Sequence, residues 1–223
     1  MHTSLKKLNL IQDKVYEITK KKQLKTNANI VVVSKTFSLD KITPLLDCGH
    51  LHFGENKVQE AEIKWSSIKK KYQNIQLHMV GKLQTNKAKK AVHLFDYIHS
   101  LDSIKLATKI AQFEKELNKK TKLFIQINVA EEKQKSGILI NELDNFYKYC
   151  IKELSLNIIG LMCLPPFDTD SQKYFKILKE SAEKLKLKDL SMGMSSDFEQ
   201  AIACGSTYLR IGTLILGKRK SPN

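Results

Sequence analysis

Arginine is nearly missing from this chain. Of 38 basic residues among 223, only Arg210 and Arg219 are arginine, and the other 36 are lysine. Proline (4), cysteine (4) and tryptophan (1) are also scarce, and glycine occurs 9 times. The low Gly and Pro content excludes collagen-like and low-complexity chains. Cys48, Cys150, Cys163 and Cys204 are scattered with no CxxC pair, so neither a zinc site nor a disulfide framework is expected. They read as buried structural thiols. No segment approaches the roughly 18–20 continuous apolar residues that cross a bilayer. The longest apolar stretches, such as Ile30 to Val33 and Leu214 to Leu216, are strand-sized. The N-terminal MHTSLKKLNLIQDKVYEITKKKQ mixes charged and apolar residues at helical spacing and lacks the apolar block of a secretory signal, so a cytoplasmic location is expected.

What the chain has in excess is lysine. With 23 acidic residues the formal charge is 38 − 23 = +15. Such a charge invites a nucleic-acid reading, because clustered cations supply salt-dependent phosphate affinity. The distribution argues otherwise. The basic runs Lys20–Lys22, Lys69–Lys71, Lys87–Lys90 and Lys119–Lys122 are separate, and each is placed at the end of an expected helix, where lysine suits the dipole and solvates the surface. The shortage of arginine also counts against base or phosphate readout, which favours the bidentate fork. Neither a nucleic-acid nor a membrane partner is expected.

Strand-like runs recur with amphipathic helices between them. Eight are found: Ile30–Lys35, Leu51–Gly54, Gln76–Gly81, Tyr97–Leu101, Lys122–Val129, Ile158–Leu164, Leu190–Met194 and Tyr208–Leu216. Near-continuous apolar strands suit a parallel sheet covered on both faces. Helical spacing fills the gaps, as in Asp102–Leu117 (Ile104, Ala107, Ile110, Ala111, Leu117), Asn141–Leu154 and Ser171–Leu187. Alternating βα units mean an α/β fold, either open or closed. Eight units favour a (β/α)₈ TIM barrel, although such barrels typically need about 250 residues. The shortfall is explained if residues 1–27, forming a helix before the first strand, close the gap between strands eight and one, where only Gly217–Asn223 would otherwise follow the last strand. The expected organisation is one domain over residues 1–223, with Pro165-Pro166 in the loop after strand six.

In a barrel the chemistry belongs at the C-terminal ends of the strands, with phosphate often held after strands seven and eight. Strand one ends in Val33-Ser34-Lys35, and alternation puts Lys35 on the face of Val31 and Val33, toward the interior. A desolvated lysine is a Schiff-base nucleophile; a strand-end lysine reaching solvent is the bland alternative. Strand seven leads through Met194-Ser195-Ser196-Asp197 into a helix, an anion cradle of hydroxyls and backbone N–H groups, with Asp197 read as an ordinary helix cap. Strand eight carries Arg210-Ile211-Gly212-Thr213. In a chain of lysines, an arginine inside an apolar strand suggests a task needing a rigid planar donor; a buried ion-pair partner is the alternative. A lysine nucleophile, an anion cup and a planar cation together suit pyridoxal 5′-phosphate (PLP), which offers an aldehyde, a phosphate and a pyridine nitrogen. His78 reads as a satisfied core histidine, and Glu55, Glu60 and Asp197 as helix-start caps. No metal site is expected.

The sequence resembles the pyridoxal-phosphate homeostasis protein family, single-domain relatives of the alanine racemase barrel. The motifs that carry the resemblance are VVVSKT (31–36), HFGENKVQE (52–60), LHMVGKLQTNK (77–87), INVAEEKQKSG (127–137), GLMCLPP (160–166), LSMGMSSDFEQAI (190–202) and RIGTLILGKR (210–219). Leu77 stands where the family commonly has Trp, and Ser38 replaces a usual Pro. The resemblance implies that Lys35 carries PLP as a covalent aldimine and that Arg210 faces the pyridine nitrogen. It further implies that Ser195, Gly212 and Thr213 hold the phosphate, with Asn56 and Met194 as neighbours.

An arginine partner donates to the pyridine nitrogen and leaves it unprotonated, which makes the ring a poor electron sink. The related racemases also carry a β-rich second domain with a tyrosine base, and no counterpart of that domain is expected in residues 1–223. The expectation is therefore a PLP-binding protein of intracellular PLP homeostasis with little or no turnover, a monomer, which buffers the cofactor or delivers it to apo-enzymes. A weak PLP-dependent amino-acid racemase is the alternative, and a class I aldolase-like barrel a more remote one, since Arg210 would then have no ring to meet.

Overall fold

In the computed structural model, which describes residues 2–218 apart from Thr26 and Lys133, the strands close into a barrel in the order β1 to β8. Helix α1 (Thr3–Lys21) precedes β1 (Asn29–Val33), α2 (Leu39–Asp47) and β2 (His52–Glu55). Then come α3 (Val58–Lys71), β3 (Gln76–Met79), α4 (Ala88–Leu94), β4 (Tyr97–Leu101), α5 (Ile104–Glu116) and β5 (Lys122–Ile127). The chain continues through α6 (Leu143–Lys148), β6 (Ile158–Cys163), α7 (Ser171–Lys184), β7 (Asp189–Ser191), α8 (Phe198–Ala203), β8 (Tyr208–Ile211) and α9 (Thr213–Leu216). Every pairing is parallel, and β1 meets β8 with Val31 opposite Arg210. All eight expected strands are present.

Alternation divides each strand between two environments. Val32, Phe53, Leu77 and Ile98 point outward into the layer shared with the helices. Val31, Val33, Val80, Phe124, Met162 and Tyr208 fill the barrel interior. Both sets are buried, which is why the strands read as near-continuous apolar runs rather than as an alternating pattern.

Helix α1 packs on α2, α8 and α9, the helices on either side of the β8–β1 junction, so it covers that seam as expected. Leu8 and Val15, seven residues apart on one face, are its buried anchors.

Four local expectations need correction. Strand eight was expected to run to Leu216, but β8 stops at Ile211 and Thr213–Leu216 form one helical turn. A short apolar run does not distinguish strand from helix, and here Ile215 and Leu216 are buried by packing α9 on α1. The expected helix Asn141–Leu154 is divided into a 3₁₀ turn (Ile140–Glu142), α6 and a π-helical turn (Tyr149–Glu153). Ile104, counted on the apolar face of α5, is 58% exposed, and Leu106 is buried instead. The lysines at 87–90 open α4 rather than close a helix, against the dipole, and Lys89 and Lys90 instead pair with Glu116 and Glu62. Arg219 lies outside the described residues.

If α1 is part of the barrel wall, Leu8→Ala should lower unfolding free energy by about 2–5 kcal/mol in urea titration. A change below about 0.5 kcal/mol would mark α1 as an appendage.

Candidate functional site

The C-terminal rim of the barrel opens into a cavity of ≈ 980 Å³. All seven residues singled out from the sequence line it: Lys35, Asn56, Met194, Ser195, Arg210, Gly212 and Thr213. They come from the ends of β1, β2, β7 and β8, separated by up to 178 residues of chain and united by barrel closure.

Lys35 is the second residue of a turn closed by the Phe37 N–H donating to the Ser34 carbonyl at 3.1 Å. The third residue, Thr36, has φ +64°, a left-handed conformation costly for a β-branched side chain. The Thr36 N–H donates to Glu60 Oε1, which holds the turn from outside. Beneath it lies a buried polar cluster. Glu55 Oε1 accepts from Ser34 Oγ (2.8 Å), Lys64 Nζ (2.9 Å) and Trp65 Nε1 (3.0 Å), and Lys64 also donates to the Ser34 carbonyl (2.8 Å). Glu55 is therefore no helix cap; it ends β2 with its side chain 0% exposed and braces the residue before Lys35. Glu60 likewise serves the Lys35 turn, from the first turn of α3.

Asn56 follows β2, and its backbone crosses Gly81 so closely that a Cβ there would meet the Asn56 carbonyl oxygen at 2.5 Å. Only glycine permits this approach of the β2 and β3 loops. On the other side of the mouth, Gly193 adopts φ +92° and its carbonyl accepts from the Arg210 N–H at 2.9 Å. The chain then passes through Met194 and Ser195 under the control of Asp197. Its Oδ1 accepts from the Met194 N–H (2.7 Å) and its Oδ2 from Ser171 Oγ (2.9 Å). Asp197 precedes α8 but makes no side-chain cap bond, so the expected capping role is replaced by bracing of the 194–197 loop. Ser195 Oγ receives the Leu214 N–H at 3.5 Å, joining that loop to the first turn after Gly212. The hydroxyls of Ser195 and Thr213 and the N–H groups of that turn form one polar corner of the cavity.

Arg210 forms the floor. It is 5% exposed, and among the described residues it joins no salt bridge. Nη1 donates to Ser191 Oγ at 2.6 Å and Nη2 to the Cys163 carbonyl at 2.8 Å, both neutral oxygens. The buried ion-pair alternative does not hold. Burial works against the guanidinium charge, with the Cys163 thiol and Asp197 carboxylate acting weakly in its favour.

Below Ser191 three imidazoles continue through the barrel interior. Ser191 Oγ lies 2.7 Å from His99 Nδ1, His99 Nε2 lies 2.9 Å from His78 Nδ1, and His78 Nε2 lies 3.0 Å from His52 Nδ1. His78 stacks on Tyr97 and His99 on Phe124. Burial holds both rings well below the usual histidine pKa, reinforced at His78 by His99 and at His99 by Arg210. His52 is lowered to about 4, by burial first and then by His50 and Lys122. His78 is the satisfied core histidine expected, but one member of a row.

The alanine racemase N-terminal domain family matches residues 8–220. The pyridoxal phosphate homeostasis protein of Aquifex aeolicus is 36% identical over 202 residues, covering 86% of this chain and 88% of its own. That of Synechocystis sp. is 37% identical over 205 residues, covering 88% and 94%. The chain belongs to the pyridoxal phosphate homeostasis protein family. PipY of Synechococcus elongatus, 32% identical, superposes with TM-score 0.82 without PLP and 0.79 with PLP bound, in each case over 91% of this chain and 100% of PipY. An alanine racemase of Clostridium difficile shares the fold at TM-score 0.70 and 12% identity, covering 98% of this chain and 58% of the racemase.

Within this family fold the site also contains residues that sequence reasoning passed over. Gln126 and Asn128 at the end of β5 line the cavity, and both are tied to the following loop, Gln126 Nε2 to the Ser136 carbonyl (2.9 Å) and Asn128 Nδ2 to the Glu132 carbonyl (2.9 Å). Their signal was a pair of amides two apart at the end of an apolar strand. Ser191 and the Cys163 carbonyl, which hold Arg210, carried no signal beyond their place in strands.

Removing one partner of the buried ion pair should be costly: Lys64→Met is expected to destabilise the protein by about 3–5 kcal/mol, read by chemical unfolding. A second expectation concerns pH. For His78 and His99 the folded pKa lies below the ordinary 6.5, so between these values the unfolded chain binds more protons. Stability is then complete above about pH 6.5 and falls as pH drops, by up to about 1.4 kcal/mol per pH unit for each ring. Urea unfolding between about pH 7 and about pH 5 should show this slope, and a flat profile would contradict it.

Proposed function

We propose that this protein binds PLP in the rim cavity and holds it for the cell's PLP-dependent enzymes, buffering the cofactor or delivering it to apo-enzymes. One observation carries the reading: an amine on a braced turn, a hydroxyl and N–H corner, and a guanidinium in no salt bridge among the described residues face one ≈ 980 Å³ cavity. The donor set fits the group. Lys35 Nζ, in its neutral form, adds to the aldehyde carbon and water leaves, giving a Schiff base. Ser195, Gly212 and Thr213 take the phosphate, Arg210 meets the pyridine nitrogen, and Asn56 and Met194 flank the ring. Family membership and the PLP-bound PipY structure support this assignment.

The same residues argue against strong catalysis. PLP supplies an electron sink for carbanion chemistry when its ring nitrogen is protonated. Arg210 can only donate, since a guanidinium carries no acceptor, so it favours the unprotonated nitrogen. A holding role follows more naturally than racemisation. The free cysteines, three of them buried, suit a reducing compartment such as the cytoplasm, and we take the working unit to be a monomer.

Purified protein given PLP should develop a visible absorption band that Lys35→Ala abolishes; a wild-type protein that stays colourless would overturn the reading. Arg210→Glu should keep the linkage but shift the band. Loaded protein incubated with a panel of L-amino acids should show no sustained change of chirality, and multiple turnovers would favour the racemase-like alternative. Native mass of the loaded protein checks both the linkage and the monomer.

A further inference from the structure

The interior histidines have a direction that follows from the chemistry of their ends. Arginine has no acceptor, so along Arg210–Ser191 the hydrogen points at Ser191 Oγ. The Ser191 hydroxyl proton is then free for its other neighbour, His99 Nδ1, at 2.7 Å. A neutral imidazole carries one N–H. With Nδ1 accepting, His99 carries its proton on Nε2 and donates to His78 Nδ1; the same step makes His78 an Nε2–H donor to His52 Nδ1. The opposite direction would leave the hydroxyl proton of fully buried Ser191 facing neither neighbour, at the cost of an unmade buried hydrogen bond. Neutral rings are what this burial produces.

We propose that His99, His78 and His52 are positioning residues that, as one chain of single polarity running through Ser191, hold the Arg210 guanidinium in its cavity-facing orientation. The chain begins at the cavity floor and ends at His52, which also lines a cleft of ≈ 380 Å³ between α1 and the N-terminal rim with His50, Cys48, Asn9 and Gln12. The Arg210 environment is thereby tied to the opposite end of the barrel by four consecutive hydrogen bonds. Among the described residues no carboxylate forms a salt bridge with Arg210, and the neutral chain adds no negative charge beside the guanidinium. The role toward the pyridine nitrogen rests on the PLP reading above, whereas the polarity does not.

The first test needs no cofactor. Nitrogen NMR of uniformly ¹⁵N-labelled wild-type protein at neutral pH should find His78 and His99 neutral and protonated on Nε2; Nδ1 protonation of either ring overturns the proposal, whether or not any variant folds. The second uses His78, which touches neither Arg210 nor the cavity. His78→Phe should let His99 populate both tautomers, shift the absorption band of the PLP-loaded protein and weaken PLP retention about five- to tenfold, the scale of one hydrogen bond. His78→Gln, whose amide both accepts and donates, should restore the wild-type band. A His78→Phe protein with unchanged His99 tautomer and unchanged band would overturn the proposal while the PLP reading stood. A wild-type protein that takes up no PLP would remove that reading and leave the tautomer result to decide the polarity.

Discussion

A guanidinium buried in a closed barrel, and joined to no carboxylate by a salt bridge among the described residues, is the constraint around which the rest of this interior is arranged. Isolated charges are expelled from low-dielectric surroundings unless hydrogen bonds replace water. Here the replacement comes from the ends of neighbouring strands: a serine hydroxyl from β7 and a backbone carbonyl from β6. A side chain that donates only forces its neighbours to accept. The Ser191 hydroxyl is then left to turn its own proton toward His99, so a polar row extends inward where an ordinary barrel would stack valine and isoleucine. The aromatic rings of Tyr97, Phe124 and Tyr208 insulate that row from water and keep its imidazoles neutral.

Barrel closure does the rest of the positioning. Parallel pairing of β1 with both β2 and β8 places Lys35 between loops that come from opposite ends of the chain. The brace under Lys35 comes from β2 and α3, and the brace under Ser195 from α7 through Ser171. These supports are rigid elements, so the polar groups around the cavity are set by packing rather than by mobile loops.

Much of this could be read from the residues alone, for a specific reason in each case. The eight strands were legible because both faces of each are buried, which produces uninterrupted apolar runs. Arg210 stood out against 36 lysines, and Lys35 against the valines before it. Glu55 was misread because its sequence neighbours are polar. Its partners, Lys64 and Trp65, stand about two helical turns into α3 and reach it only once that helix folds back on β2. Asp197 stood at a helix start but bonds backward to Met194 and across to Ser171, a contact 26 residues away. Of the three interior histidines only His78 was singled out, and its contact with His52 and His99 depends on strand stagger. Stagger is set by backbone register across the whole barrel and leaves no mark on any single strand.

The left-handed threonine beside Lys35 bears on rate as well as on shape. A glycine at position 36 would relieve the backbone, but it would also widen the set of turn conformations and let the lysine amine sample a larger volume. Threonine, pinned by Glu60, keeps that volume small. On the function proposed above, a carbonyl compound entering the cavity would meet an amine at high local concentration, and after release the amine would stand where the next molecule arrives.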